Sequence, residues 1–296
     1  MTSADPTPAD LNAARAGQLT LGGDLTVNRL GFGAMRLTGP GIWGPPRDVD
    51  EACRVLKRAV ELGVTFIDTA DSYGPAVSEE LIARALHPYP RDLVIATKGG
   101  LTRPGPDVWE RDARPEHLRE ACESSLRRLR VDCIDVYQLH APDPRVPFED
   151  SVGELVKLRE EGKIRHIGLS NVSLQELERA QKLVPIVSVQ NRYNLEDRRY
   201  DDVLDACTRQ GIAFIPWAPL GSGRHAAPGS PSETRRVHDL LAESKGVTPG
   251  QLAIAWLLAR SPVMLPIPGT SSVRHLEENI AAASIRLTQE ELRRLG

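Results

Sequence analysis

Residues 31–36 read GFGAMR, and the choice between two folds turns on them. They follow a β-forming stretch and open G-x-G, the start of the glycine fingerprint with which an open doubly wound sheet receives a dinucleotide phosphate. That fingerprint needs a further glycine where Arg36 stands. The first strand–helix turn is therefore not built for that task.

The same alternation runs outward from this point. Short apolar or β-branched runs recur at RLGFGAM, VTFIDTA, DLVIATK, IDVYQLH, IRHIGLS, IVSVQNR, IAFIPWAP and VMLPIPG. Between them lie amphipathic segments at helical spacing, among them DEACRVLKRAVELG, PEHLREACESSLRRLR and FEDSVGELVKLREEGK. Gly63, Gly162 and Gly211 fall where a helix ends and a strand begins, positions that call for a left-handed cap. Eight strand–helix units in sequence predict parallel strands with crossover helices, closed as a (β/α)8 TIM barrel. QLTLGGDLTVNRL ahead of them reads as a short N-terminal β-hairpin. Residues 1–17, polar and proline-bearing, read as a flexible tail, leaving 18–296 as one domain.

The 296 residues are 41% hydrophobic and 26% charged, with a net charge of −3. Such a charge gives no electrostatic case for nucleic acid or an anionic membrane surface as partner. No apolar run approaches the roughly 20 residues needed to span a bilayer, and the start lacks a signal-peptide pattern. The scattered cysteines Cys53, Cys122, Cys133 and Cys207 form no metal-ligand spacing. Together these features predict a cytoplasmic protein without a metal, monomeric or a small homo-oligomer.

In such a barrel the active site lies at the C-terminal ends of the strands. Asp68, Lys98 and His140 end apolar runs, and Tyr73 follows the first of them closely. Singly, each has an ordinary explanation: a cap for Asp68, packing for Tyr73, a loop carbonyl for His140. Lys98 is harder to dismiss, because lysine is rarely buried without a partner. Together on neighbouring strand ends they predict a proton donor. An ammonium beside Tyr73 is expected to lower the phenol's pKa from about 10, while Asp68 keeps Lys98 charged. His140 is placed to orient a carbonyl. No side chain supplies a hydride, so a cofactor is required.

Elsewhere on the rim, Ser170, Asn171 and Gln190 offer hydroxyl and amide groups suited to a carboxamide, and Trp217 offers a face for a flat ring. Small residues at Gly221, Ser222 and Gly223, and at Gly269, Thr270 and Ser271, suit a phosphate after the last two strands. Arg127, Arg128 and Arg130 read as a solvated helix face.

From about Leu19 to the C-terminus the chain resembles the aldo-keto reductase superfamily, through FIDTADSYG, IATKGG, YQLH, GKIRHIGLSN, QNRYN, PWAPLGSG and IPGTSSVRHLEEN. The resemblance implies a (β/α)8 barrel that uses NADPH, less often NADH, to reduce a small carbonyl substrate. It puts the catalytic tetrad on Asp68, Tyr73, Lys98 and His140, with Tyr73 as the acid. Nicotinamide binders fall on Ser170, Asn171 and Gln190, and the ring-stacking position on Trp217. Further cofactor contacts fall on Gly33, Met35 and Asp68, on Pro219 to Gly223, and on Gly269, Thr270, Ser271, His275, Glu278 and Asn279. Many members carry arginine where this chain has His275. Arg274 is adjacent but is expected to point elsewhere on the helix.

VNRLGFGAMRLTGPGIWGPPRD and DSYGPAVSEELIARALHPY resemble the pyridoxal reductase branch of that family. Trp43 and Trp109, both read as loop residues, are candidate walls for an aromatic aldehyde, with Tyr73 and His140 as the other substrate contacts. A broad-specificity aldehyde reductase differs from this reading only in substrate, and two rival readings of other classes stand beside it. Lys98 could form a Schiff base as in an aldolase. The fold also serves as a regulatory subunit in proteins similar to potassium-channel β-subunits.

Overall fold

The hairpin expected ahead of the barrel is present in the computed structural model, which describes residues 11–221 and 233–296. Strand β1 (Gln18–Leu21) pairs antiparallel with β2 (Leu25–Asn28), Leu21 opposite Leu25. Leu21, Leu25 and Val27 pack with Phe66, Val94, Val136, Ala213 and Ile215, so the hairpin fills the end of the barrel interior away from the strand tips. The tail expected over 1–17 is already folded from Asn12, whose side chain caps a 3-10 turn at Ala13–Ala16. Ala13 is fully buried there.

The wall consists of β3 (Phe32–Gly33), β4 (Phe66–Asp68), β5 (Val94–Gly99), β8 (Ile134–Leu139), β9 (Ile164–Ser170), β10 (Ile186–Arg192) and β11 (Ala213–Trp217). These seven are parallel and in sequence order around the sheet. Between β5 and the following helix the chain makes a second antiparallel hairpin, β6 (Leu101–Gly105) with β7 (Val108–Arg111).

The eighth strand expected at VMLPIPG is only a seam. Met264 bridges Phe214 in parallel register. Phe214 N–H donates to the Val263 carbonyl, Leu265 N–H to that of Phe214, and Gly31 N–H to that of Pro266. Pro266 and Pro268 have no N–H and cannot extend a ladder. The barrel closes without a regular last strand.

Helices α1 (Val49–Glu61), α2 (Val77–Leu86), α3 (Pro115–Leu129), α4 (Phe148–Glu160), α5 (Leu174–Gln181), α6 (Asp201–Gln210), α7 (Glu233–Lys245), α8 (Pro249–Arg260), α9 (Val273–Ala281) and α10 (Gln289–Leu295), with short 3-10 turns at Ala34–Leu37, Pro40–Ile42 and Ala282–Ser284, complete the described elements. The first shows why they form. Asp48 accepts the Glu51 N–H at 2.8 Å, a cap stabilising the helix by about 1 kcal/mol, and Ala52, Val55, Leu56 and Ala59 bury one face. It ends at Gly63, where φ is +80°. On α3, Arg128 is not a solvated residue as expected: its Nε meets the buried Glu79 carboxylate at 2.6 Å. Among the described residues no helix is long and apolar enough to cross a membrane.

Candidate active site

Parallel register brings the polar strand ends level. Lys98 on β5 pairs with Gln138 on β8, and Asp68 at the end of β4 lies beside Gly33. Lys98 is fully buried. Its Nζ donates to Asp68 Oδ2 at 2.7 Å, to the Thr69 carbonyl at 2.7 Å and to Tyr73 Oη at 3.3 Å. All three ammonium donors are thereby used. The other carboxylate oxygen, Asp68 Oδ1, accepts from Gln190 Nε2 at 2.7 Å and Gln138 Nε2 at 3.1 Å.

His140 follows β8, with its ring 5.8 Å from that of Tyr73 in an edge-on arrangement. Ser72 Oγ lies 3.4 Å from its Nδ1. Burial and the Lys98 charge hold the imidazole well below its ordinary value of 6.5, so it is neutral. Where the Ser72 hydroxyl donates to Nδ1, the single ring proton sits on Nε2 and is left to donate to a substrate.

The electrostatics correct one expectation. Tyr73 lies above its ordinary value of 10.0, because burial outweighs the nearby Lys98 charge. At neutral pH it is a phenol held in readiness as an acid. Lys98 is raised in turn: burial alone pushes it down, but Asp68 and Tyr73 more than offset that. It stays an ammonium, with no free amine for a Schiff base.

One cavity of about 500 Å³ opens over this cluster. Asp68, Tyr73, His140 and Trp109 line it together with Ser170, Asn171, Gln190 and Trp217. Gly33, Met35, Pro219, Leu220, Gly221 and Gly269 complete the set of expected residues on its wall. Asn171 Nδ2 donates to the His140 carbonyl at 2.9 Å and to Ser170 Oγ at 3.0 Å, while its Oδ1 accepts from Trp217 Nε1 at 3.0 Å.

Other expected residues lie away from the wall. Thr270 Oγ1 accepts the Ser272 N–H at 3.2 Å, and Ser271 is exposed beside it. On α9, Asn279 is buried. Arg274, expected to point elsewhere, instead touches His275 Nε2 at 2.8 Å and pairs with Glu278 at 2.8 Å. Ser222 and Gly223 lie outside the described residues. Trp109 is on β7 rather than in a loop, and Trp43 is not on the cavity wall: its ring stands 5.9 Å from the Arg103 guanidinium. Two polar side chains escaped the sequence reading: Gln138 and Arg103. Among the described residues no group of three or more His, Cys, Asp or Glu is placed to hold a metal ion.

His140 also makes stability depend on pH. The unfolded chain takes a proton near pH 6.5 and the folded chain does not, so stability is present above that pH and lost as pH falls toward the depressed folded value. Thermal unfolding followed from about pH 7.5 to about pH 5.5 is expected to show a smaller fall in Tm for His140→Gln than for the unaltered chain. Equal falls would assign the acid sensitivity elsewhere.

Comparison with known proteins gives a consistent answer. The sequence profile of the aldo/keto reductase family matches residues 29–296. An uncharacterised oxidoreductase of Schizosaccharomyces pombe is 49% identical over 285 residues, covering 96% of this chain and 90% of the other. Pyridoxine 4-dehydrogenase of Escherichia coli is 44% identical over 276 residues, covering 91% and 94%. The crystal structure of an aldo/keto reductase from Klebsiella pneumoniae in complex with NADP and acetate superimposes with a TM-score of 0.78 at 28% identity, covering 94% and 93%.

Proposed function

This chain belongs to the aldo/keto reductase family of oxidoreductases, and from that premise we propose that it reduces small aldehydes with NADPH, pyridoxal to pyridoxine being the best-supported reaction. The observation that carries the reading is the buried Asp68–Lys98–Tyr73 chain meeting His140 at one large cavity. The likeness to a pyridoxine 4-dehydrogenase supports the choice of substrate.

The residues present suit the cofactor. A carboxamide has one acceptor and two donors. With Gln190 Nε2 spent on Asp68, its Oε1 remains as an acceptor; Asn171 Oδ1 keeps a lone pair, and Ser170 keeps its O–H to donate. Trp217 gives a flat ring a face. Arg274 meets His275 and pairs with Glu278 at the start of α9, so its charge is already shared with a carboxylate where a 2′-phosphate would be answered. The likeness to aldo/keto reductases solved with NADP and NADPH supports NADPH over NADH despite the missing arginine at 275.

When bound, the nicotinamide supplies a hydride to the carbonyl carbon. Tyr73 gives its phenolic proton to the carbonyl oxygen, and Lys98 stabilises the phenolate left behind. Asp68 holds Lys98 charged and in place, anchored in turn by Gln138 and Gln190. The neutral His140 donates from Nε2 and orients the oxygen.

The test is NADPH oxidation followed in the near-ultraviolet with pyridoxal, a simple aromatic aldehyde, and NADH in parallel. The expected result is a kcat/KM for pyridoxal about tenfold or more above the simple aldehyde, with NADPH preferred. Equal rates for the two aldehydes would leave the chemistry and remove the pyridoxal assignment. Tight NADPH binding without turnover would favour a regulatory subunit.

A further inference from the structure

Arg103 lies in a stretch rich in glycine and proline, GLTRPGPDVW (residues 100–109), which the reaction above does not use. Its side chain is buried, yet no ion pair among the described residues includes it. Burying a cation in this way is costly unless its donors are met. Here each of the five guanidinium N–H groups finds a backbone carbonyl. Nε donates to Val108 at 2.8 Å; Nη1 donates to Ile42 at 2.9 Å and Ser72 at 3.2 Å; Nη2 donates to Gly41 at 2.7 Å and Gly105 at 3.4 Å.

Those carbonyls come from three separate places. Gly41 and Ile42 belong to the loop after β3, Gly105 and Val108 to the β6–β7 hairpin, and Ser72 to the turn that carries Tyr73. The guanidinium carbon also lies 3.7 Å from the centre of the Trp109 ring. Trp109 in turn meets Tyr73 at 6.2 Å and His140 at 6.4 Å, edge-on in both cases, and lines the cavity. One side chain thus joins the outer loops, the aromatic wall and the acid's own turn. Lysine cannot replace it: three donors on a point charge satisfy neither five carbonyls nor a flat stack.

We infer that Arg103 is a positioning residue that fixes the Trp109 wall against Tyr73 and His140, and so selects planar aromatic carbonyl compounds over aliphatic ones. The inference rests on the reductase reading above and adds to it the residue that sets the substrate class.

The experiment uses the full chain with Arg103→Met and Arg103→Lys, the latter kept in case the former folds poorly. Benzaldehyde and propanal are the paired substrates, NADPH affinity is measured by fluorescence, and amide exchange is followed by mass spectrometry over residues 41–44 and 105–111. The preference for benzaldehyde over propanal in kcat/KM is expected to fall about tenfold in both variants, mostly through KM, with NADPH affinity within about twofold. Exchange should quicken in the two segments and not in β5 or β8. An unchanged preference, an equal loss for both aldehydes, or segments that stay protected would each overturn the inference. If the unaltered chain reduces neither aldehyde, the reductase reading fails and the selectivity with it, while exchange still decides whether Arg103 holds the wall.

Discussion

Tyr73→Phe is expected to lower the kcat for carbonyl reduction by about 10³-fold while leaving NADPH affinity within about twofold. The substitution removes one oxygen and little else. The ring keeps its edge contacts with His140 and Trp109. Lys98 loses an acceptor at 3.3 Å but keeps Asp68 and the Thr69 carbonyl, both at 2.7 Å, so the buried charge remains paired. What disappears is the phenolic proton at the cavity wall, since Lys98 is not part of that wall and the single N–H of the neutral His140 is spent on orienting the oxygen. Single-turnover kinetics with saturating cofactor measure the loss directly. A phenylalanine variant with more than about a tenth of the original kcat would mean that another group or a water delivers the proton, and Tyr73 would lose its assigned role.

Lys98→Met is expected to act on the fold as much as on the chemistry. Asp68 is almost fully buried, and its ammonium partner is completely so. Removing the cation leaves a buried carboxylate with two amide donors and no compensating charge, a change that costs about 3–5 kcal/mol. In a chain of this size the expected fall in Tm is on the order of 10 °C. The double variant Asp68→Asn with Lys98→Met should recover much of that loss, because a neutral amide oxygen still accepts from Gln138 and Gln190. Reductase activity should not return with it. Denaturant unfolding of the two variants side by side separates these effects. A single variant within about 1 kcal/mol of the original would show that the pair does not hold the strand ends together.

Much of this arrangement was legible because a barrel strand alternates between its two sides. Phe66, Val94, Ala96 and Val136 pack inside with the hairpin, while Ile67, Ile95 and Tyr137 pack outward under helices. Continuing the inward series reaches Asp68, Lys98, Gln138 and His140. The same count exposes Gln138 as a member of the cluster. The direction of the Tyr73 shift depends on packing rather than on sequence. A neighbouring lysine can be read from a sequence, but the depth of burial that outweighs its charge is set by packing. Trp109 and Arg103 sit in a segment of prolines and glycines with no regular period, and three of the carbonyls that Arg103 meets, on Gly41, Ile42 and Ser72, lie far away in the chain. The seam was hidden differently: VMLPIPG has the composition of a strand, but its prolines deny it the donors.

That seam also sets an order of assembly. Seven strands follow one another around the wall, but the cavity is bounded by Gly33 near the beginning of the chain and by Ile267, Pro268 and Gly269 near its end. During synthesis a growing chain can pair each new strand with the last as it emerges. It cannot own a complete cofactor cavity until residues 263–269 have been made and have reached back to Gly31. A truncated product ending before them would carry the whole tetrad and lack one wall of its pocket. Competence to receive a nucleotide therefore waits on residues 263–269 reaching the first strand.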